Sequence, residues 1–337
     1  MQESLCLKIM VFHFNVDHIM KKLEQILNQF TLFIGDKVAT KTEIDKFILF
    51  VKELKTSRRV HFIYRGNSDI FKNYGIGSEN ISLLTNYIFC LGDKGRYFLH
   101  DKISKAENIF SFIWNRFHDK VCGLNFNSEC TKERVLMFLA SNPEFYQYFS
   151  DVHNKKHFDS LLQLSVKESN KVVDYYLFIL HTIGKSANGM SYFLSSTTIR
   201  SVAETFKGDN NIVIYGWMPK KGANRRKIKY VEANKYHSFV KSLELPTHQV
   251  SVYPEQKEIC IKCGLLPNYI IGFQHNNDFY INPNIIKEQW HDNIVYDGLD
   301  IDQKEFDDFF KKSKYKQSFI YCDGDYYLIS KNGVTEV

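Results

Sequence analysis

The chain has 337 residues, 44 Lys+Arg against 38 Asp+Glu, a formal net charge of +6 and 44% hydrophobic content. It is too apolar to stay disordered, and with 17 Gly and 6 Pro it is too poor in both for a fibre. Its length suits one large domain or two ordinary ones, and a slight basic excess with 15% aromatic residues fits an enzyme, a nucleic-acid binder or both.

Two amphipathic helices are expected first. Asn15 caps one, with Val16, Ile19, Met20, Leu23, Ile26 and Leu27 on one face. The other starts near Thr42 and sets Ile44, Phe47, Ile48, Val51 and Leu54 at helical spacing. Val60–Tyr64 is a short β-branched and aromatic run, read as a strand that Arg65-Gly66 ends. Residues 79–170 are mostly helical in pattern, broken at Ser141-Asn142-Pro143. The aromatic cluster Phe145–Phe149 in that stretch fits core packing.

From residue 172 the texture turns to short apolar runs, read as strands of one sheet. They are Val172–Ile179, Met190–Leu194, Ile212–Trp217, Lys227–Val231, Gln249–Val252, Glu258–Ile261 and Tyr269–Phe273. A helix over Ile199–Phe206 separates the second from the third. A helix near Gln303–Lys312 follows, then a hairpin of Phe319–Cys322 and Asp325–Ile329 about Asp323-Gly324. The class is therefore α+β with a mixed β-sheet. The expected organisation is a helical N-terminal region 1–57, a core 58–275 with a helical insertion at about 79–170, and an α/β extension 276–337.

Seven cysteines in a chain of this size do not make a disulfide scaffold. Cys260 and Cys263 form a C-x-x-C, but no second ligand pair follows, so the sequence assigns no metal. The first residues lack the basic start of a signal peptide. The longest apolar run, Tyr175–Ile183, falls far short of the ~20 residues that a membrane span needs. A cytoplasmic protein without a membrane partner is expected.

Three motifs stand in order. Ile63-Tyr64-Arg65-Gly66 closes a strand. Phe193-Leu194-Ser195-Ser196-Thr197-Thr198 precedes Val202-Ala203-x-x-Phe206. Tyr253-Pro254-Glu255-Gln256-Lys257-Glu258 opens the apolar run Ile259-Cys260-Ile261. Together they resemble the mono-ADP-ribosyltransferases of the arginine–serine–glutamate class, whose pattern is aromatic-Arg-Gly, then F-x-S-T-S with an Ala-x-x-Phe helix, then [Q/E]-x-E. Ser196 and Thr197 stand here where that pattern has Thr and Ser, and about 130 residues separate Arg65 from Ser195, which requires a helical insertion. The resemblance covers roughly residues 60–275 and implies an ADP-ribosyltransferase core with NAD as substrate.

It also implies roles. Arg65 binds the NAD phosphates, for which a guanidinium offers a bidentate fork. Glu258 faces the oxocarbenium-like ribose formed as nicotinamide leaves, a service worth several kcal/mol when the charge is preorganised. Ser195 orients Glu258, and Ser196 and Thr197 complete the cofactor-binding strand. Gln256, two residues before Glu258, shares its face if the segment is extended, and its amide can hold the incoming nucleophile. Plainer roles stay open: a surface arginine, a Ser/Thr helix cap and a solvated strand-start glutamate. Leu180-His181-Thr182 before Ser191-Tyr192-Phe193 is similar to the histidine–tyrosine–glutamate branch of the superfamily, which makes His181 a second candidate for NAD binding.

Lys220, Lys221, Arg225, Arg226, Lys227 and Lys229 crowd ten residues, a local field suited to phosphate backbones. Tyr215, Trp217, Tyr230 and Tyr236 flank them as candidates for base stacking. The reading that follows is an NAD-dependent transferase acting on an RNA or DNA base, of the toxin or phage-defence effector type, restrained by an antitoxin or inhibitor protein. The alternatives are a protein side chain as acceptor, an NAD glycohydrolase, and a non-catalytic nucleic-acid binder.

Overall fold

The computed structural model describes residues 29–94, 106–125, 129–183, 193–221, 228, 230–248, 256–262, 264–302, 304, 308, 318–322, 325–330 and 333–336. Its strands are β1 (Thr31–Ile34), β2 (Lys37–Val38), β3 (Val60–Gly66), β4 (Asp93–Lys94), β5 (Phe193–Thr197), β6 (Ile212–Pro219) and β7 (Glu258–Lys262). Then come β8 (Gly264–Leu265), β9 (Ile270–His275), β10 (Asp278–Ile281), β11 (Ser318–Cys322), β12 (Asp325–Ser330) and β13 (Gly333–Glu336). The class is mixed α and β, as expected, and among the described residues no helix is long and apolar enough to cross a membrane.

The chain divides into two units, each built from separate stretches. The first comprises Met1–Gly92, Ser196–Lys227 and Leu266–Asp302; the second comprises Asp93–Ser195, Ile228–Leu265 and Gln303–Val337. This division differs from the three consecutive regions expected from the sequence. Strands on either side of a long insertion pair with one another, so a compact unit need not be a continuous stretch of chain.

In the first unit the strands run β2-β1-β10-β9-β6-β3. The sheet is mixed, because β1 pairs parallel with β10 while its other pairs are antiparallel. Tyr64 of β3 also pairs with Thr197 at the end of β5. The helix Lys41–Thr56 starts at a capping box, in which Thr40 N–H donates to Glu43 Oε2 at 2.8 Å and Glu43 N–H to Thr40 Oγ1 at 3.4 Å. Phe47, Phe50, Val51 and Leu54 are its buried face, at the i, i+3, i+4, i+7 spacing of an amphipathic helix. Gly66 ends β3 where the helix Arg200–Thr205 comes close: a Cβ there would lie 2.1 Å from the Ala203 carbonyl oxygen.

The second unit is mainly helical. Its helices are Ala106–Asn115, continued by a π-helical turn over Arg116–Cys122, then Glu129–Ser141, Pro143–Ser150, Asn154–Ser160, Val166–Thr182 and His237–Ser242. Aromatic rings fill the space between them. Phe110, Phe117, Phe145, Phe149, Phe158 and Tyr176 are fully buried, with Phe117 stacked on Phe149 at 4.4 Å.

The central helix Val166–Thr182 corrects a sequence expectation, since it contains the run Val172–Ile179 that was read as a strand. Every residue from Val172 to Leu180 is buried, Asp174 included, so this half of the helix has no exposed face and its 3.6-residue period is hidden. Lys227–Val231 is no strand either where it is described: a single bridge joins Tyr230 to Ile261. The Asn15 helix, Met190–Tyr192, Gln249–Val252 and most of the Gln303–Lys312 helix lie outside the described residues. The C-terminal hairpin is present as β11 and β12, with Cys322 opposite Asp325, and β13 extends it to three strands.

Candidate active site

Within the second unit, three elements bring four polar side chains together. The helix Val166–Thr182 delivers His181 in its last turn, the middle of β5 delivers Ser195, and β7 delivers Glu258 and Cys260. His181 Nε2 lies 3.0 Å from Glu258 Oε1 and 3.1 Å from Ser195 Oγ. Cys260 Sγ donates to the same Oε1 at 3.6 Å, and the Ser195 hydroxyl also hydrogen-bonds the carboxylate. The Glu258 side chain is 7% exposed and that of His181 17%.

Burial pushes the Glu258 carboxyl up, but the His181 hydrogen bond and charge, with the Ser195 and Cys260 hydrogen bonds, outweigh it and hold the group below the ordinary range. The carboxylate therefore stays ionised in a nearly dry niche. It accepts from three donors at once, with the imidazole proton on Nε2. Cys260 has the opposite fate. Burial first and the Glu258 charge second push its thiol well up, so it remains a neutral donor.

A second contact fixes the register of helix against strand. Glu258, Cys260 and Lys262 alternate onto one face of β7. Lys262 forms a buried ion pair with Asp174, which stands seven residues before His181 on the same helix. Seven helical residues rise about 10 Å and four strand residues span about 13 Å. The Asp174–Lys262 pair thus sets one end of the contact and His181–Glu258 the other, with the chains running in opposite senses.

The other sequence candidates fall as follows. Gln256 is described, but it lies in a helical turn before β7, and Lys257 between it and Glu258 has a left-handed φ of +43°. The extended segment that would align Gln256 with Glu258 is therefore not formed. Arg65 sits on β3 in the first unit, paired across the ladder with Ile214. Ser196 and Thr197 are buried and belong to the first unit, and Thr197 Oγ1 accepts from Ile199 N–H at 3.0 Å. Thr197 thus closes a turn ahead of the helix Arg200–Thr205, whose N-cap Ile199 has no side-chain cap, while Ser195 is engaged with His181 and Glu258.

Lys220 and Lys221 are exposed after β6, whereas Arg225, Arg226 and Lys227 lie outside the described residues. Trp217 is fully buried against Phe50 and Tyr269 in the first unit, which removes it as a base-stacking residue. Cys260 and Lys262 at the site carry one signal in the sequence, their alternation with Glu258 along an apolar run.

Comparison with family models, with curated proteins and with solved structures finds no match for the chain.

Proposed function

We propose that the protein transfers ADP-ribose from NAD to a macromolecular acceptor, with Glu258 as the residue that faces the reacting ribose. One observation carries this reading. The glutamate that the Q-x-E resemblance singles out is a nearly buried, ionised carboxylate held by the serine of the Ser-Ser-Thr motif. Solvated strand-start glutamates are not held in this way.

The chemistry follows from the charge. The bond between the nicotinamide nitrogen and ribose C1′ breaks, the electron pair leaves with nicotinamide, and positive charge develops on the ribose. A fixed carboxylate in a poorly solvated niche stabilises that charge without reorganising at the moment of reaction. Ser195 and His181 keep Glu258 in one rotamer. His181, a candidate for NAD binding on the resemblance, takes this orienting role because its Nε2 is committed to Glu258 and Ser195. Arg65 keeps its assignment to the NAD phosphates, and Gln256 its assignment to the acceptor, on the resemblance alone. An acceptor nucleophile then bonds to C1′, and the proton it carried passes to solvent.

For the acceptor, the exposed Lys220 and Lys221 and the cationic residues that follow them favour a nucleic acid over a protein side chain. The test is incubation of the purified protein with labelled NAD and cell extract. Label in a nuclease-sensitive product supports the reading, and label in a protease-sensitive product moves the acceptor to protein. Nicotinamide release without labelled acceptor reduces the activity to NAD hydrolysis, and no release at all rejects the transferase.

A further inference from the structure

We propose that His181, Glu258 and Cys260 form a binding site for a thiophilic divalent cation of the zinc class, and that its occupancy withdraws Glu258 from the transfer chemistry. The second half rests on the function proposed above; the first does not.

The donor set is an imidazole nitrogen, a carboxylate oxygen and a sulfur, all within 4.8 Å of one another. Nitrogen and sulfur ligands with one carboxylate suit zinc rather than magnesium or calcium, which take oxygen. Spacing agrees with that choice. Ligand atoms at about 2.0–2.3 Å from a tetrahedral zinc stand roughly 3.3–3.7 Å from each other. Here Nε2 to Oε1 is 3.0 Å, Oε1 to Sγ is 3.6 Å and all three atoms lie within 4.8 Å, so seating the ion takes side-chain shifts of at most about 1 Å, chiefly between Nε2 and Sγ.

The three ligands come from a helix end and one strand face, both anchored by the buried Asp174–Lys262 pair, so the site is preformed. With three protein ligands the fourth position is open, as in catalytic rather than structural zinc sites. Ser195 Oγ, 3.1 Å from Nε2, borders it. The C-x-x-C pair is not the basis of this site: Cys260 binds together with His181 and Glu258, and Cys263 lies outside the described residues.

The protons balance simply. A dication at this point turns the local field from negative to positive, so the Cys260 thiol gives up its proton to solvent and binds as thiolate. His181 binds through Nε2, and its remaining ring proton sits on Nδ1. The carboxylate that faced the ribose now carries a metal bond, and its charge is neutralised.

The full chain, stripped of metal and titrated with Co2+, tests the site, because cobalt accepts zinc's ligands and reports a thiolate ligand by a sulfur-to-metal charge-transfer absorption. The expected band saturates at a single equivalent, disappears on adding Zn2+, is absent in Cys260→Ser and persists in Cys263→Ser. Losing only a hydrogen-bond partner of a ligand already costs about 10–100-fold in affinity, so His181→Ala should weaken Co2+ binding by at least roughly ten-fold. No band, a band that survives Cys260→Ser, or unchanged affinity in His181→Ala would overturn the site. If Cys260→Ser fails to fold, the His181→Ala titration decides. Zn2+ should also suppress nicotinamide release from NAD by about ten-fold or more, with recovery on chelation; full release at metal saturation overturns the inhibitory half. A metal-free protein that releases no nicotinamide counts against the transferase, and the cobalt spectrum still decides the site.

Discussion

Glu258 shows how one residue's environment can be assembled from parts that its sequence neighbourhood does not contain. Its motif marks it, and the partnership with Ser195 is legible in the motif order, because Glu258 opens one apolar run and Ser195 directly follows another. His181 was legible as a candidate but not in its role, since its position depends on where a buried helix ends. The shared face of Gln256 and Glu258 is not formed because the segment turns at Lys257, with φ of +43°, a turn that cannot be seen in the sequence. Ser195 supplies one hydrogen bond to a charged acceptor, an interaction worth about 1.5–3 kcal/mol. Ser195→Ala should therefore lower turnover by roughly ten- to hundred-fold. The melting temperature should stay within a few degrees of wild type in a thermal scan. An unchanged turnover would remove Ser195 from the site.

At the scale of elements, the helix Val166–Thr182 carries the main lesson. Periodicity fails for a helix buried on every side, but the N-terminal signal does not: Ser165 and Glu168 form a capping box, with Ser165 N–H donating to Glu168 Oε2 at 3.2 Å. Serine followed three residues on by glutamate was present to be read, and it outweighs the apolar run. Ser165→Ala should cost about 1 kcal/mol in denaturant unfolding, and a cost near zero would deny the cap its role.

Strands β1 and β10 were missed for a different reason: each has only four residues, and although each forms a tight hairpin with β2 or β9, its parallel pairing with the other joins segments far apart in sequence. The Asp174–Lys262 pair is likewise invisible before the helix and β7 are brought together. Removing one partner of a buried pair leaves an uncompensated charge, at about 3–5 kcal/mol. Lys262→Met should destabilise the protein by that order in chemical denaturation, whereas a loss below about 1 kcal/mol would show the pair to be solvated.

For the whole molecule, the α+β class and the mixed sheet were legible, because β3, β6 and β9 of the first unit coincide with short apolar runs and the helices of the second lie in an aromatic-rich stretch of helical pattern. The assembly of each unit from separate stretches was not legible, because it depends on which distant strands pair. Charge has the same character at this scale. A net +6 says little, while six cations within residues 220–229 are what the proposed polyanionic acceptor rests on. Nicotinamide release and label transfer from NAD, compared between wild type and Glu258→Gln, test the central claim most directly. Gln keeps the size and the hydrogen-bonding oxygen but lacks the charge. The account predicts that transfer falls by at least about 10²–10³-fold while the unfolding transition is retained. Transfer at the wild-type rate in a folded Glu258→Gln protein would contradict it.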